Sequence, residues 1–69
     1  MQYVIVEIIN HNKGVLEVYR QDIKGFMVLR LKHYEFISDY LKKGTLLKIS
    51  YSKNKEIYKM SFIRGGANG

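Results

Sequence analysis

Lys42-Lys43-Gly44-Thr45-Leu46-Leu47-Lys48-Ile49-Ser50-Tyr51-Ser52-Lys53-Asn54-Lys55-Glu56-Ile57-Tyr58-Lys59-Met60-Ser61-Phe62-Ile63-Arg64 reads as two strands joined by the polar turn Ser52–Lys55. Leu47, Ile49 and Tyr51 share one face of the first strand. On the second, Tyr58, Met60 and Phe62 share one face, and Ile57, Lys59, Ser61 and Ile63 the other. Tyr51 and Tyr58 each alternate with aliphatic neighbours and are expected in the core. Asn54 is the residue of the turn best suited to the left-handed region. The ribbon also holds the charge. From residue 42 onward there are seven Lys or Arg and one acid, Glu56, a net +6, whereas residues 1–41 hold five of each sign and sum to zero. An excess confined to one ribbon points to a polyanionic partner.

Working back toward the N-terminus, Gln2–Asn10 is a strand whose apolar residues fill both alternate sets. Both of its faces are therefore expected to be at least partly covered. Asn10–Gly14 is a turn ending in a glycine able to take positive φ. Val15–Arg20 alternates, with Leu16 and Val18 on one face and Glu17 and Tyr19 on the other. After the polar turn Gln21–Gly25 comes a third strand, Phe26–Lys32. Met27, Leu29 and Leu31 line its inner face, and Phe26, Val28, Arg30 and Lys32 its outer one. The period then changes: Tyr34, Ile37 and Leu41 fall at i, i+3 and i+7, which predicts a helix of about two turns over Tyr34–Leu41. Lys42 and Lys43 suit its last turn, and Gly44 the C′ position.

The order is strand, strand, strand, short helix, strand, strand, a β-rich chain with one short helix. Over residues 2 to 64 it resembles the five-stranded oligonucleotide/oligosaccharide-binding (OB) barrel. The resemblance rests on the long first strand, the glycine near the start of the second, the helix after the third and the Lys42-Lys43-Gly44-Thr45 lead-in to the fourth. An SH3-like small barrel is the rival; it usually places its helical turn before the last strand. A single domain over residues 1–64 is expected, with the Gly-rich end, residues 65–69, disordered because it has nothing to bury.

Sixty-nine residues without cysteine exclude disulfides and thiolate metal sites. No His-x-x-His pair, glycine elbow around a serine or phosphate-cradling loop is present. Glu35 and Asp39 suit a solvated face, and His11 and His33 read as surface residues. Neither an enzyme nor a bound cofactor is expected. The apolar run Tyr3–Ile9 is broken by Glu7 and is far below the roughly 20 residues of a membrane span; a cytoplasmic protein without membrane contact is expected.

The OB resemblance implies a binding surface on strands two and three, flanked by the loops between strands one and two and between strands four and five. The candidate nucleic-acid-binding residues are then Tyr19, Phe26, Arg30 and Lys32, with Lys13 from the first loop and Lys53 and Lys55 from the second. Cations follow a phosphate backbone and flat rings stack on bases. The expected partner is single-stranded DNA or RNA, read with weak sequence preference. Docking on a larger protein through Phe26, Val28 and Tyr19 is the alternative, and self-association stays open. Lys42, Lys43, Lys48 and Lys59 also suit a solvated sheet face.

Overall fold

Strands β1 (Val4–Asn12), β2 (Val15–Arg20), β3 (Gly25–Leu31), β4 (Leu46–Tyr51) and β5 (Glu56–Arg64) pair in the order β1-β2-β3-β5-β4. They close into a barrel in the computed structural model, which describes residues 2–66. β1 pairs antiparallel with both β2 and β4, and β4 with β5. Closure comes from β3 and β5, which run parallel and pair at Arg30–Glu56 and Leu31–Ile57. The expected β-rich barrel is thus observed, with its helical residues confined to two 3-10 turns between β3 and β4.

The interior is aliphatic. Val6, Ile8, Leu16, Val18, Leu29, Leu41, Leu47, Ile49 and Ile57 are buried, with Met27, Leu31, Ile37 and Met60 packed against them. Where a strand runs without interruption, period two decides which side chains enter. Leu16 and Val18 point in from β2, Leu29 from β3, Leu47 and Ile49 from β4. Both faces of β1 are covered as expected, but unequally: Val6 and Ile8 are buried, Glu7 and Ile9 half-buried, and Ile5 is 52% exposed. The ladder to β2 skips one residue between Ile8 and Asn10, so Ile9 is a bulge.

A second bulge lies in β5. Ser50 pairs with Lys59 but Tyr51 pairs with Ile57, which leaves Tyr58 as the extra residue. The bulge resets the phase, so Ile57 and Met60 both turn toward the core and Tyr58 stands 57% exposed. The expectation of a core Tyr58 is corrected on that ground. Tyr51 packs against the core as expected.

The predicted helix is instead two single 3-10 turns, Tyr34–Phe36 and Ser38–Tyr40. Ahead of the first, His33 takes φ 57° and its side chain makes no cap hydrogen bond; Ile37, between them, sits at φ −130°. Without an N-terminal cap and with aromatic and β-branched residues, the segment has little helical propensity of its own. Its apolar stripe still meets the barrel: Leu41 is buried and Tyr34 and Ile37 pack on the core. Among the described residues no helix is long and apolar enough to cross a membrane. Gly65 and Gly66 are half-buried, and Gly66 lies so close to the Lys43 carbonyl that a Cβ there would collide with it. The rest of the Gly-rich end expected to be disordered, residues 67–69, lies outside the described residues.

The β1–β2 turn is tighter than expected, because β1 runs on to Asn12 and pairs it with Val15. Only Lys13 and Gly14 remain as the turn, with φ 49° and 86°, the doubly positive pattern of a type I′ hairpin. Gly14 cannot carry a side chain. A Cβ would stand 2.8 Å from the Leu31 carbonyl oxygen and 2.7 Å from the Tyr34 ring. The Gly14 carbonyl accepts the Leu31 N–H at 2.8 Å, so the backbone has no room to retreat. Gly14→Ala should therefore lower unfolding free energy by about 1–3 kcal/mol in urea titration. Lys13→Gly, which relieves a positive φ, should leave it unchanged or raise it.

Candidate nucleic-acid interface

Antiparallel register sets the outer face of β2 and β3. Val15 stands opposite Arg30, Glu17 opposite Val28 and Tyr19 opposite Phe26. Phe26 is 74% exposed and Val28 53%, and neither folds over the barrel mouth. Tyr19 is half-buried, and its ring meets Phe26 edge-on at 5.0 Å between centroids. Beside them the Ile9 bulge helps form a shallow hollow of about 240 Å³ with Glu17, Phe26, Met27 and Val28. Phe26, Val28 and Arg30 share the face at successive alternate positions, a strip about 13 Å long.

Arg30 joins this strip to the β4–β5 loop. Its backbone N–H donates to the Lys55 carbonyl at 2.8 Å, and its Nη2 donates to the Asn54 carbonyl at 3.1 Å. Ser52 holds the loop together: its Oγ accepts from the Asn54 and Glu56 N–H groups at 3.2 and 3.4 Å. The left-handed residue is Lys55, at φ 64°, rather than Asn54. A turn closed by the Lys55 N–H to the Ser52 carbonyl, at 2.9 Å, places the reversal one residue later.

The seven candidate residues are thus not one cluster. Tyr19 and Phe26 touch, and the Lys53–Lys55 loop is fastened to Arg30. Lys32 lies 3.8 Å from Glu56, an exposed pair that salt screens readily. Lys55 holds its ammonium 5.6 Å from the Tyr51 ring centroid. Lys13 sits at the tip of the β1–β2 turn, which reaches the end of β3 through the Gly14–Leu31 hydrogen bond.

Only part of the ribbon's charge meets the aromatic face. β4 pairs with β1 and β5, not with β2 or β3. Lys48 and Lys59 accordingly lie on a different wall, where Lys48 Nζ stands 4.1 Å from the Tyr3 ring centroid. Nothing in the alternation marks which wall the ribbon's outer face becomes; barrel closure decides it.

Arg20, absent from the candidate set, is the most engaged cation. Nε and Nη2 donate to the two Asp22 carboxylate oxygens at 3.0 and 2.5 Å, and Nη1 donates to the Tyr51 hydroxyl at 2.7 Å. The hydrogen bond from Arg20 holds the Asp22 carboxyl below its ordinary value, and the same bond raises the guanidinium. Arg20 ties the end of β2 to the end of β4. Among the described residues no group of three or more His, Cys, Asp or Glu is placed to hold a metal ion. No protein-family model, curated protein or solved structure matches the chain.

His11 is also more engaged than a surface residue. It is half-buried, its Nε2 accepts the Gly14 N–H at 3.0 Å, and its ring meets Tyr34 edge-on at 5.5 Å. Burial lowers its pKa below the ordinary 6.5. The native state therefore favours neutral imidazole, the form that can accept from Gly14. The unfolded chain takes up its proton first as pH falls, so this contribution is complete above 6.5 and is lost between there and the lowered native value. The thermal midpoint should fall between roughly pH 7.5 and pH 5 in the native protein. In His11→Gln, whose amide oxygen can accept but does not titrate, that fall should be smaller.

Proposed function

We propose that this chain is a non-enzymatic OB-like barrel that binds single-stranded DNA or RNA with weak sequence preference. One observation carries the reading: an aromatic pair, half-buried Tyr19 with exposed Phe26, leads along β3 to Arg30, onto which a lysine-bearing loop is hydrogen-bonded. The order β1-β2-β3-β5-β4, with loops β1–β2 and β4–β5 both reaching the end of β3, supports the OB assignment. Phe26 and Tyr19 offer ring surface that stacks on any base, hence the weak preference. Arg30, Lys53 and Lys55 meet the phosphates, with Lys13 and Lys32 at the margins. Its setting would be the cytoplasm, a reducing compartment compatible with a chain that has no cysteine.

A second reading, docking on a larger protein, is favoured by an apolar hollow of about 380 Å³ lined by Ile37, Tyr40, Leu41, Leu47, Met60 and Phe62. Lys42 and Lys43 follow its Leu41 wall and Arg64 lies two residues beyond Phe62, so its occupant would be a segment with apolar anchors and acidic flanks. It shares no residue with the aromatic strip.

Fluorescence anisotropy with a labelled oligonucleotide tests the first reading. Affinity should fall with salt, log K against log salt having a slope of about −0.7 for each phosphate neutralised on a single strand. Phe26→Ala should cost about 1–3 kcal/mol, the worth of one stacked base. No binding at low salt would remove the reading. The double substitution Tyr40→Ser, Phe62→Ser, in the hollow, should leave oligonucleotide affinity within about twofold, since neither ring belongs to the strip. A loss equal to that of Phe26→Ala would assign the hollow to the nucleic-acid surface instead.

A further inference from the structure

We infer that the outer wall of β4 and β5 is a second binding segment for the same single strand, entered by way of the β4–β5 loop. The inference rests on the nucleic-acid reading above and extends it to a wall that strands two and three do not supply.

Two adjoining hollows make up this wall. One, of about 440 Å³, is lined by Tyr3, Arg20, Ser50, Tyr51 and Tyr58 among others. The next, of about 370 Å³, shares Tyr3 and Ser50 and adds Lys48, Lys59 and Ser61. Lys48 stands opposite Ser61 and Ser50 opposite Lys59, which makes the two lysines diagonal neighbours on paired strands. Tyr3 is 58% exposed and Tyr58 57%, the latter because the bulge turns it outward. The wall therefore offers flat rings beside ammonium groups, the pairing that single-strand binding requires.

Acids are few here. Asp22 is paired with Arg20 at the edge of the first hollow, Glu56 faces Lys32, and Glu7 stands against Leu46 and Tyr19. None of the three lines either hollow. Lys48 is held against the Tyr3 ring, so its charge stays on the wall, whereas a free lysine would sample solvent. Continuity with the first segment comes from Lys55. Its carbonyl accepts from Arg30 on the β3 side, and its ammonium approaches Tyr51 on the other. A strand leaving Phe26 and Arg30 over this loop meets Tyr51 and Tyr58 next, then Lys59 and Lys48.

Oligothymidylates of about 5 and about 15 nucleotides, labelled and titrated by anisotropy, separate the two segments, since one OB barrel engages roughly 4–16 nucleotides depending on binding mode. Native protein should bind the longer oligomer at least about tenfold more tightly per site, with a steeper salt slope. Lys48→Gln with Lys59→Gln should erase most of that gain and reduce the slope on the long oligomer by about 1.4, at 0.7 per lysine. The short oligomer should be bound as before, and Tyr58→Ala should follow the same pattern. An unchanged gain in these variants overturns the second segment while leaving Phe26 and Arg30 in place. Equal weakening on both lengths also overturns it, because it marks general attraction without a second contact. If native protein binds neither oligomer, the nucleic-acid reading fails and this inference with it.

Discussion

The barrel depends on a closure two residue pairs long. Arg30–Glu56 and Leu31–Ile57 are the positions at which β3 and β5 join, and without them the sheet would end in two open edges. Arg30 serves this closure twice, through its backbone N–H to Lys55 and through its guanidinium to Asn54. The loop can present its carbonyls there only because Lys55 adopts a positive φ, at about 1–2 kcal/mol for a residue with a Cβ. Fold and candidate function thus meet at one side chain. A guanidinium has five N–H donors, and the Asn54 carbonyl takes one. Among the described residues none of the others has a protein partner that would compete with a phosphate, and the contact that fixes the loop also aims the cation.

The strands that were legible in the sequence are those that carry no extra residue themselves, even where the partner strand does. Leu16 and Val18, Leu29, Leu47 and Ile49 obey period two from turn to turn, and their placement follows from alternation alone. Tyr58 defeats the same rule, because one extra residue between Ile57 and Lys59 reverses the phase. No glycine or proline marks that bulge, so the residues hold no local signal of it. The stripe Tyr34, Ile37, Leu41 was legible as a buried face but not as a helix type. A 3-10 turn also brings i and i+3 to one side, so the same spacing serves both geometries.

Charge was legible in amount and not in direction. The ribbon's surplus reads directly from residues 42–64, but a ribbon built into a barrel has a loop and an outer wall, and these face different ways. Pairing of β4 with β1 sends Lys48 and Lys59 to one wall, and pairing of β5 with β3 sends Lys53 and Lys55 toward another. Both facts are long-range, set by partners more than 20 residues away in sequence. Arg20 shows the converse. Its bonds to Asp22 and to Tyr51 remove a cation from the exposed supply and spend it on holding strand ends.

The aromatic residues explain why so small a barrel has so much binding surface. Among the described residues nine form the buried hydrophobic core, and every one is Val, Ile or Leu. The six Tyr and three Phe of the chain are all half-buried or exposed. Branched aliphatic side chains fill a narrow five-stranded interior at native density, and a ring would overpack it at a cost of about 1–3 kcal/mol. The rings are therefore displaced to the outside, where they gather into groups rather than scatter: Tyr19 with Phe26, Tyr3 with Tyr51 and Tyr58, Tyr40 with Phe62. Lysine or arginine stands beside the first two groups, at Arg30 and at Lys48 and Lys55. The third borders a hollow whose lining is free of charge. Two groups are thus suited to a polyanion with flat bases, and the third to an apolar partner, a division of the surface that follows from what the core has no room to hold.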